Sequence, residues 1–325
     1  MIVVVRLNPA LDITHYVPRV DWAGVNRPSA VYARPGGKGT NVARTLHALG
    51  ADTLLLGFAG GATGSAVEAG LRELAVPAAF TPVAAETRRT FTVVEGQGAG
   101  RHGADGPGAV ALFNEPGPEI SAAEWARFRD GFGQALSGAS VVTLSGSLPR
   151  GLPATAYAEL IAMAAQAGVP AVLDTSGDAL RAGVAAGPAI VKPNLDELRA
   201  ESGQSLTTAD GGTDRAAVTD AATALRTAGA DAVVVSLGAD GLLAVTRHGD
   251  WHAPPPVLVT GNATGAGDAV TAALAHGLLL GQPWPERLAH AAALGAAVVA
   301  APVAGEFSRS STEGYALSAS AKRGS

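Results

Sequence analysis

The sequence predicts an α/β protein: a mostly parallel central sheet with helices on both faces, and a small separate β lid. Three observations predict it. Short, continuous apolar runs alternate with Ala- and Leu-rich stretches of helical length, the pattern of parallel strands buried on both faces. No internal repeat accounts for that alternation. Two half-polar segments, 12–35 and 87–115, interrupt it and are too thin in apolar residues to build a core of their own.

In order, MIVVVRL (1–7) reads as the first strand, followed by a helix from about Thr40 to Leu49. TLLLGFA (53–59) is a second strand, and Ser65 to Leu74 a second helix. SVVTLSG (140–146), a helix over Pro153–Ala167, PAVLDTS (170–176) and AIVKPN (189–194) continue the pattern. A helix near Thr213–Ala228, the strand DAVVVSLG (231–238) and two long helices over 265–281 and 285–300 complete it. The segments 12–35 and 87–115 read as short strands that pair as a small antiparallel sheet. Such a sheet would sit over the carboxyl edge of the main sheet, where ligands bind in open α/β folds, and lids there exclude water.

Composition narrows the function. At about 150 residues per domain, 325 residues make two domains or one large α/β domain with an insertion. With 47% hydrophobic and 16% charged residues the chain can bury a core and is no disordered segment. A net charge of −5 argues against a nucleic-acid binder. The 42 glycines and 20 prolines gather in particular loops, as tight turns and close backbone approaches require. The absence of cysteine excludes disulfides, thiolate catalysis, zinc fingers and iron–sulfur clusters. Met1 to Val5 meets Arg6 too soon for a signal-peptide core, and the apolar run Leu288–Gly305 reads as a buried helix. The chain therefore reads as a soluble cytoplasmic protein, with 308–325 a polar, frayed tail. Only three of the 23 basic residues are lysines, and two of them, Lys38 and Lys192, lie inside motifs. A compact ammonium and a flat guanidinium are not interchangeable at a crowded anion site, although chance also produces such a distribution.

Four motifs carry chemistry, each with a plainer alternative. In PGGKGTNVARTLHALG (35–50), Gly36, Gly37 and Gly39 let backbone approach a ligand, and the helix start offers free N–H groups. Lys38 adds charge and Asn41 a two-way hydrogen-bonding side chain; Gly39 after the lysine excludes a Walker A loop. The alternative is a structural turn. In TGNATGAGDAVTAALAHG (260–277), small residues at a helix start converge N–H groups on an anion, and Asp268 sits in the first turn. Asp268 reads as a helix cap or as a base that accepts a hydroxyl proton beside a travelling phosphoryl group. At that helix start its pKa should be depressed. In KPNLDEL (192–198), Asn194 and Glu197 share one side of a helix turn and suit magnesium through water, or simply a solvated helix start. SLGADG (236–241) and SGSLPRGLP (145–153) are glycine turns after strands, and the first equally reads as a plain hairpin. His248 and His252 flank a turn rather than share a helix face, so they make no metal pair.

The order NPALD, GGKGTN, a TR pair, NEPGPEI (114–120), SGSLP, KPN-x-x-E, SLG-x-x-G and TGAGD resembles the ribokinase-like (PfkB) carbohydrate kinases over roughly residues 1–305. NPALD, NEPGPEI and SGSLP are most similar to its sugar-phosphate branch, which phosphorylates fructose 1-phosphate, fructose 6-phosphate or tagatose 6-phosphate. The resemblance implies a ribokinase-like three-layer sandwich as one kinase domain, 1–307, with ATP and Mg2+ as cofactors. It implies Asp268 as catalytic base, with Gly265, Ala266 and Gly267 as the anion hole. It implies Lys192, Asn194, Ser236, Gly238 and Gly241 at the nucleotide, with Glu197 and Asn194 organising magnesium through water. Asp12, Gly37, Lys38, Asn41, Arg88 and Ser145 would meet the sugar, Arg88 reaching its existing phosphate. Two positions depart from the family pattern. Asn262 and Ala263 put potassium activation in doubt, and Arg6 could, with Arg88, Arg89 and Arg101, enrich the phosphate end of the pocket.

The expected activity is transfer of the γ-phosphoryl group of ATP to a ketohexose phosphate, first of all fructose 1-phosphate to fructose 1,6-bisphosphate. A 6-phosphofructokinase or a tagatose-6-phosphate kinase is the alternative. A kinase for a neutral sugar or nucleoside has no use for the arginine pair Arg88–Arg89. A catalytically inactive sugar-phosphate sensor has no use for Asp268. The thin lid strands would expose a half-apolar face, which predicts a homodimer; no nucleic acid or membrane partner is expected.

Overall fold

The computed structural model describes residues 1–96, 109–256 and 264–300, and the backbone of Lys322–Arg323. The tail 308–325, otherwise, and the positions Arg101, Asn262 and Ala263 lie outside the described residues.

The first strand, β1 (Ile2–Arg6), is buried along its whole length and divides the core in two. Val3 and Val5 point into one apolar cluster, Ile2 and Val4 into the other, as the period of two of a strand requires. The chain leaves the sheet for β2 (Ala10–Val17) and β3 (Ala30–Gly36), and α1 (Lys38–Ala48) brings it back. After β4 (Thr53–Ala59), α2 (Gly61–Glu73) and β5 (Ala78–Pro82), it leaves again through β6 (Arg88–Glu95) and β7 (Val110–Asn114). Then come α3 (Ala122–Leu136), β8 (Val141–Ser145), α4 (Ala156–Gln166), β9 (Ala171–Asp174) and α5 (Gly177–Ala185). Next are β10 (Ile190–Val191), α6 (Leu195–Ser202), α7 (Arg215–Thr227), β11 (Ala232–Ser236), β12 (Leu242–Thr246) and β13 (Gly249–Ala253). Last are α8 (Ala266–Leu279), α9 (Trp284–Ala300) and β14 (Lys322–Arg323).

The main sheet runs β14-β13-β12-β11-β10-β9-β8-β1-β4-β5. It is parallel from β11 to β5 and antiparallel across β11, β12, β13 and β14. Helices α3 to α7 cover one face through residues such as Phe128, Leu160, Leu180 and Val218. Helices α1, α2, α8 and α9 cover the other through Val42, Leu71, Leu274 and Leu294. This is the expected three-layer sandwich, and it gathers the carboxyl ends of β1, β8, β9, β10 and β11 on one edge. Among the described residues no helix is long and apolar enough to cross a membrane.

Several elements differ from the sequence reading. The lid is a four-stranded sheet, β3-β2-β6-β7, and its central pair β2–β6 is parallel rather than antiparallel. Both strands run outward from the main sheet, whereas β3 and β7 return to it, so only the flanking pairs are antiparallel. α3 was not anticipated, although Ser121 and Glu124 form a capping box and Trp125, Phe128 and Phe132 recur at helical spacing. Gly131 and Gly133 interrupt its pattern. The edge strand β5 and the short helix α5 were also not anticipated. AIVKPN contributes only the two-residue β10. Lys322 and Arg323 form β14 and pair with His252 and Trp251 of β13.

Candidate active site

The glycine turn sits where β3 meets α1. Gly37, the N-cap of α1, has φ 88°, a left-handed conformation that favours glycine. Its N–H donates to Asp12 Oδ2 at 3.2 Å, and Thr90 Oγ1 on the neighbouring strand donates to Asp12 Oδ1 at 2.5 Å. The carboxylate lies flat on the turn: a Cβ on Gly36 would come 1.7 Å from Asp12 Oδ2. Arg88, two residues from Thr90 and so on the same face of β6, is half-buried and donates to the Glu115 carbonyl at 3.3 Å. Its buried Nε has no hydrogen-bond partner among the described residues. Burial lowers the Arg88 pKa from its ordinary value, and Asp12 opposes that. Arg89 takes the other face, as strand alternation demands. It pairs with Glu115 at 2.9 Å and lies over Phe91. The arginine pair therefore places one cation on the face that carries Asp12 and Thr90.

On the sheet edge beneath, the residue that joins the motifs has no place in the sequence reading. Asp174, last in β9 and 1% exposed, accepts from Lys38 Nζ at 2.9 Å and Thr271 Oγ1 at 2.9 Å, and pairs with Lys192 Nζ at 3.3 Å. Lys38 also reaches Glu197 Oε1 at 3.4 Å. Burial works against both charges. Lys192 and Lys38 nevertheless hold Asp174 below the usual carboxylate range, while Asp174 and Glu197 hold the Lys38 ammonium above its own. The available signal was a lone Asp at the carboxyl end of an apolar strand, in PAVLDTS.

α8 starts at Gly265, its N-cap, with φ 87°. Ala266, Gly267 and Asp268 form its first turn, whose N–H groups have no partner within the helix. A Cβ on Gly267 would lie 3.6 Å from Lys192 Nζ, so the lysine sits beside this turn. Asp268 is 7% exposed, makes no capping bond, and instead accepts from Asn41 Nδ2 at 2.8 Å. The cap alternative is therefore set aside. So is the expected depression of its pKa: burial first, then the charge of Asp174, raise it to about 7, against the Asn41 bond, Lys38 and Lys192. Desolvation outweighs the helix dipole.

The remaining expected residues divide. Asn194 and Glu197 form a reciprocal capping box at the start of α6, Asn194 Oδ1 accepting from Glu197 N at 2.8 Å and Glu197 Oε2 from Asn194 N at 2.9 Å. Glu197 still presents Oε1 to Lys38 and so to the site. Ser236 ends β11 beside Asn194, and its buried Oγ lacks a partner among the described residues. Gly238 (φ 61°) and Gly241 (φ 87°) bound the next turn, and a Cβ on Gly241 would lie 2.1 Å from the Ala253 carbonyl oxygen, so the approach of β13 also favours glycine there. Ser145 stands on the same sheet edge, and its buried Oγ lacks a partner among the described residues. It ends β8 paired with Asp174, and its side chain is 0% exposed. The exposed position at that edge is Ser147, two residues on. Arg6 does not line the pocket either: it is 2% exposed, packed behind Gly37.

A buried carboxylate beside free helix-start amides, two lysines on the same edge and a lid arginine define a phosphotransferase acting on a small hydroxyl-bearing molecule. The chain belongs to the pfkB family of carbohydrate kinases, which it matches over residues 5–310, and it is a sugar kinase. It is 38% identical to the 1-phosphofructokinase of Xanthomonas campestris pv. campestris over 281 residues, 85% of this chain and 84% of that one. It is 34% identical to the ATP-dependent 6-phosphofructokinase isozyme 2 of Mycobacterium tuberculosis over 314 residues, 97% of this chain and 88% of that one. Among solved structures, phosphofructokinase-2 of Escherichia coli in complex with fructose-6-phosphate superposes with a TM-score of 0.85 at 31% identity, covering 97% of this chain and 98% of the other.

Proposed function

We propose that the protein transfers the γ-phosphoryl group of ATP to a hydroxyl of a ketohexose phosphate, with fructose 1-phosphate as acceptor and fructose 1,6-bisphosphate as product. The observation that supports a phosphorylated acceptor is Arg88, whose buried Nε has no partner among the described residues and lies near Asp12. Asp12, Gly37 and Asn41 hold the sugar hydroxyls, and Asp268 takes the proton from the attacking one. The amides of the Gly265–Ala266–Gly267 turn, with Lys192 and Lys38 beside them, stabilise charge on the moving phosphoryl group. Lys192, Asn194, Ser236, Gly238 and Gly241 meet the nucleotide. The names of the relatives support both a 1-phosphofructokinase and a 6-phosphofructokinase reading, and the more identical of the two favours the first. Fructose 1-phosphate, fructose 6-phosphate and tagatose 6-phosphate offered at matched concentrations with ATP separate them. No ADP release with any of the three would overturn the proposal and leave the sensor reading or a kinase for a neutral sugar.

The residues fit a magnesium ion. Glu197 and Asp174 offer hard oxygen donors on either side of Lys38, while among the described residues no three ligating side chains converge. That is the donor set of an ion keeping most of its waters, held by Glu197 and Asn194 through them. When bound it would neutralise charge on the leaving diphosphate.

Arg88→Ala is expected to raise the KM for the sugar phosphate about 10- to 150-fold, since a charge-assisted contact contributes about 1.5–3 kcal/mol. The KM for ATP should move little. A raised ATP KM with an unchanged sugar-phosphate KM would overturn the assignment.

The same reading makes 1–307 one kinase domain with a polar tail, working in the cytoplasm where its substrates are, and makes it a homodimer through the lid. Val31 and Phe113, on the lid face opposite Asp12, are 55% and 50% exposed, and Val31 lies beside His15 there, an apolar patch that a second lid would cover. Light scattering at micromolar concentration, with substrate, should return twice the chain mass for the full chain and for one ending at residue 307, and both should turn over. A monomer rules out the lid dimer, and an inactive shortened chain rules out the domain boundary. Recovery of activity in the soluble fraction of disrupted cells checks the location.

A further inference from the structure

Arg6 is the largest fully buried side chain among the described residues, and none of those residues forms an ion pair with it. Its guanidinium donates to two neutral acceptors, Thr40 Oγ1 and, at 3.5 Å, the Asn8 carbonyl. A guanidinium carries five N–H donors, so most of its hydrogen-bonding capacity is unspent. Burying a charge without a counter-charge is costly, and an apolar side chain would fill the same space without that cost. Core packing therefore does not explain the arginine.

Its position does. A Cβ on Gly37 would lie 2.3 Å from Arg6 Nη2 and 2.9 Å from Nε, and one on Gly39 would lie 2.7 Å from Arg6 Cβ. The guanidinium thus lies directly behind the glycine turn, adding a full charge to the positive end of α1. Asp12, Arg88 and Asp268 all lie near enough to act on its charge. Burial pushes its pKa down to about 9, which leaves it protonated at neutral pH.

We propose that Arg6 is a specificity-determining residue of the acceptor site: a fixed positive charge behind Gly37 that selects a sugar already carrying a phosphate. It acts through the wall of the pocket, whereas Arg88 acts from the lid. The proposal rests on the kinase reading above, and the wild-type enzyme tests that reading first. If wild type releases ADP with a neutral sugar and with no sugar phosphate, both fall; if it uses a sugar phosphate, the variants decide Arg6 alone.

The experiment compares Arg6→Met, which keeps length and apolar bulk, with Arg6→Lys, which keeps the charge. KM is measured for the better of fructose 1-phosphate and fructose 6-phosphate, and for ATP, with the thermal midpoint of each variant. Arg6→Met should raise the sugar-phosphate KM roughly tenfold or more, the effect of one unscreened charge at an effective dielectric of about 20. It should leave the ATP KM within about twofold and weaken the salt dependence of kcat/KM for the sugar phosphate. Arg6→Lys should restore most of the loss. The midpoint of Arg6→Met should match or exceed that of wild type, because the charge removed is buried with no ion pair among the described residues and its burial outweighs the attraction of Asp12 and Asp268. An unchanged sugar-phosphate KM overturns the proposal. So does a fall in midpoint with both KM values rising together in both variants, the signature of a purely structural arginine.

Discussion

An Asp268→Asn enzyme is expected to fold normally and to lose about 10²- to 10⁴-fold in kcat, the usual contribution of a positioned general base. The substitution removes proton acceptance and little else. Asp268 makes no capping bond, the N-cap being Gly265, and an amide oxygen at the same position still accepts from Asn41 Nδ2. Because burial and Asp174 raise the Asp268 pKa to about 7, the working, ionised form grows as pH rises through that value. Wild-type kcat/KM should therefore climb between about pH 6 and 8, and the variant should lack that limb. Stability has the opposite sign. A carboxyl whose folded pKa is raised stabilises the fold below its unfolded value, and that contribution is lost as pH rises through about 7. At pH 8 the wild type carries a buried charge that the variant does not, so the thermal midpoint of Asp268→Asn should be no lower there. Near-wild-type turnover in a folded variant would sink the mechanism, and a collapsed midpoint would point to a structural carboxylate instead.

Asp174→Asn is expected to destabilise the fold by about 3–5 kcal/mol at neutral pH, as removal of one partner from a buried ion network does. Lys192, with a side chain 4% exposed, would lose its ion pair, and among the described residues Lys38 would keep only that with Glu197. The folded Asp174 pKa is depressed by Lys192 and Lys38 against its burial. Its stabilisation is thus complete above the ordinary value of 3.8 and is lost as pH falls below it. Urea unfolding at pH 7 and near pH 2.5 should show the gap between wild type and variant narrowing at the lower pH. Kinetics supply a signed second test. Asp174 is the second cause of the raised Asp268 pKa, so its neutralisation should shift the acid limb of kcat/KM to lower pH even as kcat falls. An unmoved limb together with unchanged stability would remove Asp174 from the site.

Much of this protein is legible in its residues. The order of strands and helices follows from periodicity, so β4 matches TLLLGFA over 53–59 at both ends, and α7, α8 and α9 lie within a residue or two of their expected bounds. The glycine turns at Gly37 and Gly265 follow from residues that alone tolerate positive φ with backbone close by. These signals are local, and local sequence carries them. Where glycines blur the helical period, as in α3, or a strand is short and at an edge, as in β5, local sequence falls silent.

Tertiary structure decided the rest. The parallel pairing of β2 with β6 depends on where each segment leaves the main sheet. Lys38 meets Asp174 and Glu197 across 136 and 159 residues, and Asn41 meets Asp268 across 227, and no spacing rule spans such distances. The upward pKa of Asp268 is a matter of burial beside a second carboxylate, where its sequence neighbours alone predicted a shift downward. Arg88 and Arg89 are adjacent in the chain and opposite in the sheet; only the fold determines which one shares a face with Asp12. The sequence by itself determined which elements and turns exist, because those depend on a few neighbouring torsions and side-chain periods. Which charges are buried, paired or left open depends on desolvation and on contacts between distant segments, and those exist only once the chain has packed.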